Sequence, residues 1–127
     1  MNVVDSSGWL EWFADGPGAR HFARPLGDAT TLVVPAITIF EVFRAVLRRR
    51  DESAALQAAA QMRQGRVVDL DDTLAMEAAR LSIEHALPMA DSIILATARS
   101  ADAVLWTQDA DFEGIAGVRF FPKPRPA

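Results

Sequence analysis

Short apolar runs alternate with longer helical patterns along this chain, and this alternation is the strongest constraint on its fold. In the first run, Val3-Val4-Asp5, two β-branched residues lead into an acid, and a helical pattern follows at once. Buried parallel strands between two helical layers have this pattern. We therefore expect an α/β fold, a three-layer α/β/α domain over residues 1–127 with an extended tail at 122–127. The later strand-like runs are Thr31–Val34, Arg66–Leu70, Val104–Trp106 and Val118–Phe121.

Composition limits the class of protein. Half of the 127 residues are hydrophobic, which is enough for a core, and the absence of cysteine excludes disulfides, thiolate metal sites and a cysteine nucleophile. We find no signal-peptide pattern and no apolar stretch of roughly 18 residues, so we expect a cytoplasmic protein without a membrane span. The net charge of −4 argues against a broad positive field. A nucleic-acid partner would therefore need a local basic patch or bridging cations.

Several acids fall where strands end. Asp5 follows the first strand, Glu41 lies early in the helix after the second, and Asp109 and Asp111 follow the fourth. Right-handed βαβ connections bring such positions to one edge of the sheet, so we expect Asp5, Glu41 and Asp109 to meet there. We expect the helix that Asp91 opens to begin at the opposite edge unless the chain doubles back, for example by laying that helix across the top of the sheet.

Each acid also has an ordinary structural interpretation. Asp5 could cap the first helix. Glu41 shares a helical stripe with Arg44 and Arg48, so a surface ion pair explains it equally well. Asp91 could be a plain acid at a helix N-terminus, and the acids after the fourth strand resemble turn residues. Taken singly, these positions leave the alternatives open.

Taken together, four segments resemble the PIN-domain family, and most closely its VapC-like ribonuclease toxins of type II toxin–antitoxin modules. The similarity covers nearly the whole chain, in order and with compatible spacing. One departure is the turn at 100–103, where relatives usually carry glycine and this chain reads Ser-Ala-Asp-Ala. The segments that carry the resemblance are Val3–Ser7, Ile39–Val42, Met89–Ala98 and Thr107–Phe112.

The resemblance implies a metal-dependent endoribonuclease. Crowded carboxylates repel one another, and oxygen ligands without thiolates favour Mg²⁺ or Mn²⁺ over zinc. The implied reaction is hydrolysis of RNA phosphodiesters by a metal-activated water, with 5′-phosphate and 3′-hydroxyl products. The implied catalytic and metal-binding residues are Asp5, Glu41, Asp91 and Asp109. The implied supporting residues are Ser6, Thr107 and, more peripherally, Asp111.

The resemblance also implies partners and a topology. It predicts the strand order 3-2-1-4-5, a homodimer, and a cognate antitoxin that occludes the acidic pocket. The helical stripe of Trp9, Trp12 and Phe13 is either core or an exposed groove for the antitoxin's C-terminal helix. The candidate RNA contacts are Arg20, Arg24, Arg48 and Arg99.

Two rival functions remain at this point. A receiver-type signalling domain also places an acidic pocket on a short parallel sheet, with Asp69 as its phosphoacceptor and Lys123 after the fifth strand. That alternative leaves Glu41, Asp91 and Asp109 without a role. The second rival is a catalytically silent PIN scaffold that binds RNA or protein.

Overall fold

Five short parallel strands form the middle layer of the computed structural model, which describes residues 1–124. In the pairing ladders, β4 (Val104–Thr107) lies between β1 (Asn2–Val4) and β5 (Val118–Phe120), and β2 (Val33–Pro35) pairs with β3 (Arg66–Val68). A single parallel bridge from Asn2 to Leu32 joins the two groups, so the strands run in the order 3-2-1-4-5. The predicted α/β class with a short parallel sheet is confirmed.

Within residues 1–124, six α-helices connect the strands: α1 (Ser6–Phe13), α2 (Ala23–Leu26), α3 (Ala36–Arg49), α4 (Glu52–Met62), α5 (Asp72–His85) and α6 (Met89–Ser100). Asp51 and Asp71 precede α4 and α5 as N-caps, each accepting a backbone N–H three residues on at 2.8 Å. Thr31, which we predicted to begin the second strand, lies instead in a 3₁₀ turn that the Asp28 side chain caps through the N–H of Thr30.

Alternate residues of the strands serve two separate hydrophobic clusters. Val3 and Leu105 pack in a cluster with residues of α5 and α6, whereas their neighbours Val4 and Trp106 pack in a cluster with residues of α1, α3 and α4. Because successive strand side chains point to opposite faces, this division shows that helices cover both sides of the sheet.

Helix α6 corrects our expectation for Asp91. Only residues 101–103 separate its last turn from β4, and the N–H of Ala103 still donates to Ala98 in that turn at 2.8 Å. Its first turn lies beside the residues that follow β4. Helix α6 therefore runs antiparallel to β4 rather than across the top of the sheet, and it begins at the carboxyl edge. The connection from α5 reverses at Ala86, which has a left-handed φ of 54°.

The turn before β4, at residues 100–103, contains no glycine. Asp102 there adopts a left-handed φ of 51°, a conformation that aspartate tolerates better than most residues. After β5, residues 121–124 form neither helix nor strand, and positions 125–127 of the predicted tail lie outside the described residues. No helix within residues 1–124 is long and apolar enough to span a membrane.

Candidate metal centre

Asp5 is a buried carboxylate at the end of β1. It is 2 % exposed and caps α1 by accepting the N–H of Gly8 at 3.0 Å. The hydroxyls of Ser7 and Thr107 donate to it at 2.7 and 2.6 Å. Burial raises its pKa to about 6, against the effect of these hydrogen bonds and with a further contribution from the charge of Asp109. The capping role and a place in an acidic site are therefore compatible.

Three further carboxylates meet beside Asp5. Asp91 lies in the first turn of α6, Asp109 follows β4, and Asp111 lies in the 3₁₀ turn after it. Each offers one oxygen, and these oxygens all lie within 4.8 Å of one another. Burial and then the charge of Asp109 raise the pKa of Asp91 to about 7, with Asp111 and Asp5 adding to the effect. The four acids therefore form one electrostatically coupled group.

This group fits a hard divalent cation. An octahedral Mg²⁺ holds oxygens at about 2.1 Å, so opposite ligands are about 4.2 Å apart. The oxygens of Asp91, Asp109 and Asp111 lie within 4.8 Å of one another, so a small shift would bring them to the distances that such an ion requires. Their donor set contains only carboxylates, which suits Mg²⁺ or Mn²⁺.

Glu41 stands apart from the three close oxygens. It is partly buried in α3 and accepts a hydrogen bond from the hydroxyl of Ser6 at 2.9 Å. This contact ties it to the residue that follows Asp5. Within residues 1–124 it forms no ion pair, so the surface pairing with Arg44 or Arg48 that its helical stripe allowed is absent.

Thr107 and Ser7 organise the centre, although our sequence analysis gave Ser7 no role of its own. The hydroxyl of Thr107 also accepts the N–H of Asp109 at 2.9 Å, and that of Ser7 accepts the N–H of Gln108 at 3.3 Å. Gln108 is buried, and its side-chain oxygen has no hydrogen-bond partner within residues 1–124. Only the nearness of Ser7 to Asp5 in the sequence could have indicated its role, because its contact with Gln108 joins residues 101 positions apart.

The candidate RNA-contacting arginines are distributed unevenly around this centre. Arg20, Arg24, Arg48 and Arg99 are all exposed. Arg99 lies eight residues after Asp91 on α6, about 12 Å along the helix axis, at the end remote from the acids. It donates to the carbonyl of Ala116 at 3.4 Å, and its role as an RNA contact stays a prediction.

The aromatic stripe of α1 is divided between core and surface. Trp9 is 1 % exposed and stacks on Phe13, so of the two alternatives it takes the core and not the exposed groove. Trp12 is partly exposed, and Phe13 lines a groove between α1, α3 and α4, hereafter the α1–α4 groove. The apolar residues of this groove are Leu10, Phe13, Ala14, Val46, Ala54 and Ala58, and its polar ones are Arg49, Arg50, Gln57 and Gln61.

Comparison with known families supports the resemblance seen in the sequence. The family model of the PIN domain matches residues 3–118. No curated protein sequence matches the chain significantly.

Solved structures show the same fold at low sequence identity. A toxin–antitoxin complex from Klebsiella pneumoniae contains a chain with a TM-score of 0.78 and 23 % identity, covering 94 % of this chain and 96 % of that one. The sarcin–ricin loop cleaving toxin VapC20 of Mycobacterium tuberculosis follows, with a TM-score of 0.77, 19 % identity and coverage of 91 % and 95 %. A DNA-bound VapBC complex from Salmonella typhimurium gives a TM-score of 0.72 at 19 % identity, with coverage of 96 % and 98 %.

Proposed function

This chain belongs to the PIN-domain family, and on that premise we propose that it is a metal-dependent endoribonuclease and the toxin of a toxin–antitoxin pair. The observation that carries the proposal is the convergence of Asp91, Asp109 and Asp111 within 4.8 Å, beside the buried Asp5. These acids come from three separate parts of the chain and meet at the carboxyl edge of a parallel sheet, where ligands bind in open α/β folds.

The residues have distinct roles in this proposal. Asp91, Asp109 and Asp111 would hold one Mg²⁺ or Mn²⁺, with Asp5 adjacent and Glu41 joining through Ser6. A bound divalent ion lowers the pKa of water and neutralises charge on a phosphodiester. Asp5 keeps its orientation because its oxygens are held by Thr107 and Ser7. Such fixed carboxylates align water and phosphate for in-line attack at little entropic cost.

A partner protein follows from the same proposal. The structures similar to this chain include toxin–antitoxin complexes, and the α1–α4 groove combines an apolar floor with polar edges. An amphipathic helix of an antitoxin fits a groove of that chemistry. We also propose the homodimer that the resemblance implies, and the cytoplasm as the compartment where the chain meets RNA.

The nuclease activity can be tested with purified protein and a structured RNA. We expect cleavage in Mg²⁺ or Mn²⁺, none in excess EDTA, and 5′-phosphate and 3′-hydroxyl ends. Asp5→Asn is the matched control, because asparagine can still cap α1. Equal cleavage by this variant or in EDTA would contradict the metal mechanism. RNA binding without metal-dependent cleavage would instead support the silent PIN scaffold.

The structure argues against the receiver alternative. Receiver-type domains have the strand order 2-1-3-4-5, whereas the pairings here run 3-2-1-4-5. Asp69 follows the edge strand β3 and is exposed, and it is not among the clustered acids. The match to the PIN family model agrees with this conclusion.

A further inference from the structure

Phe40 is an exposed aromatic residue next to Glu41. It lies on α3 with 60 % of its surface exposed, although a phenylalanine in a helix of this kind usually packs inward. It lines a depression of about 380 Å³, hereafter the α3 depression. The residues of the α3 depression are Phe40, Glu41, Arg44, Ala45, Arg48 and Arg49.

The α3 depression is basic although the chain as a whole is acidic. Arg44, Arg48 and Arg49 are exposed and form no ion pair within residues 1–124. Arg48 and Arg49 would favour the C-terminus of α3 in any case, but Arg44 lies one turn earlier, where that explanation weakens. Three cations without acidic partners, in a chain with a net charge of −4, indicate a local anion-binding surface.

The α3 depression is connected to the acidic centre. Glu41 lines it and also accepts the hydroxyl of Ser6, the residue after Asp5. Arg49 additionally lines a second depression, which contains Ser6, Ser7 and Lys123. A strand of nucleic acid with one phosphate among the acids would therefore have neighbouring nucleotides over α3.

We propose that the α3 depression is a subsite for an unpaired nucleotide next to the cleaved phosphate. Phe40 stacks on its base, and Arg44, Arg48 and Arg49 bind the phosphates around it. The inference rests on the proposed function and adds the form of the substrate. An exposed aromatic ring beside arginines is the combination with which proteins bind single strands, because an unpaired base offers an open face. In a duplex those faces are stacked on neighbouring base pairs.

The test measures binding separately from cleavage. The probe is a fluorescein-labelled ten-nucleotide RNA without secondary structure, followed by anisotropy in EDTA. A second probe has the same backbone with abasic sites at its centre, and a third is the RNA duplex. The variants are Phe40→Ala, Phe40→Trp and Arg44→Ala, with Ile83→Ala as control because Ile83 is 85 % exposed on α5.

The proposal predicts a distinct pattern across these probes. Phe40→Ala weakens binding of the intact RNA by between about fivefold and a hundredfold, and Phe40→Trp restores it. The abasic and duplex probes bind equally to wild type and Phe40→Ala. Arg44→Ala weakens binding of the intact and the abasic probe alike. It also makes the slope of log K against log salt less negative by about 0.7, because one phosphate contact is lost. Ile83→Ala changes nothing.

Three results would overturn the subsite. The first is no binding of the intact RNA by wild type, and the second is an equal loss by Phe40→Ala on intact and abasic probes. The third is a change of oligomeric state in Phe40→Ala by sedimentation, which would make this face a contact between copies. Cleavage is assayed separately in Mg²⁺. If RNA binding depends on Phe40 but no cleavage occurs, the nuclease proposal is contradicted and the base-stacking site stands. If cleavage occurs and does not depend on Phe40, the subsite is contradicted and the nuclease proposal stands.

Discussion

The hydroxyl of Thr107, at the end of β4, donates to the carboxylate of Asp5, at the end of β1, over 2.6 Å. The same oxygen accepts the N–H of Asp109 at 2.9 Å, so one side chain joins the two strand ends that carry acids. All three groups are largely removed from water, where an unmade hydrogen bond is costly. Thr107 therefore positions two carboxylates relative to each other without contributing a charge of its own.

Replacing Thr107 by valine tests this positioning role. Valine preserves the shape but leaves the N–H of Asp109 without its acceptor, so we expect a loss of about 1–3 kcal/mol in the free energy of unfolding. Asp5 also loses the hydrogen bond that most lowers its pKa, so the acidic limb of the pH–rate profile should move to higher pH. Thr107→Ser should restore both. A valine variant with an unchanged profile would contradict the role.

Asp5→Asn should stop cleavage and yet stabilise the metal-free protein. Asparagine keeps the cap on α1 but carries no charge, and the burial that raises the pKa of Asp5 to about 6 penalises its ionised form. We expect a gain of about 1–3 kcal/mol in the free energy of unfolding at pH 8 in EDTA. With Mg²⁺ the order should reverse, since binding stabilises only the wild type strongly. Urea denaturation with and without Mg²⁺ measures both values.

The pH dependence of stability follows from Asp5 and Asp91. Their pKa values rise on folding from 3.8 to about 6 and about 7, so the folded state holds these protons more tightly than the unfolded state. Their contribution to stability is therefore fully present below about pH 4 and is lost as pH rises to about 7. In EDTA, the advantage of Asp91→Asn over wild type should grow across this window. A difference independent of pH would show that these carboxylates are not strained in the folded state.

Much of the fold could be predicted from the sequence because local rules determine it. The β-branched pair Val3-Val4 is buried in β1 as expected, and Asp51 and Asp71 cap their helices. The prediction failed at Thr31, where one side-chain cap from Asp28 favours a 3₁₀ turn over a longer strand. A few hydrogen bonds decide whether such a segment forms a side-chain-capped turn or extends a short strand, and composition does not reveal them.

The centre itself was harder to predict than the sheet. Because parallel strands end at one edge of the sheet, the sequence predicts that Asp5 and Asp109 meet there. The position of Asp91 depends instead on the direction of α6, which the reversal at Ala86 decides. Asp111 joins the close oxygens because of the 3₁₀ turn after β4, a local geometry without a periodic signal. Hydrogen bonds between residues about 100 positions apart, such as Ser7 to Gln108, follow only from the folded chain.

The sequence predicted Glu41 as a metal-binding acid and Asp111 as a peripheral one, whereas the structure places Asp111, and not Glu41, in the close oxygen group. The amide variants of the two residues test which of them contributes more to metal binding. Asp111 shares the close oxygen group, so Asp111→Asn should weaken Mg²⁺ binding, whereas Glu41 lies outside that group and Glu41→Gln should weaken it less. The order follows from charge, because each carboxylate near the ion adds to its affinity. Calorimetric titration of Mg²⁺ measures the dissociation constants of both variants. Asp69→Asn is the matched control, because Asp69 is an exposed acid that follows β3, at the edge of the sheet. A larger loss in Glu41→Gln than in Asp111→Asn would show that Glu41 moves into the group when the ion binds.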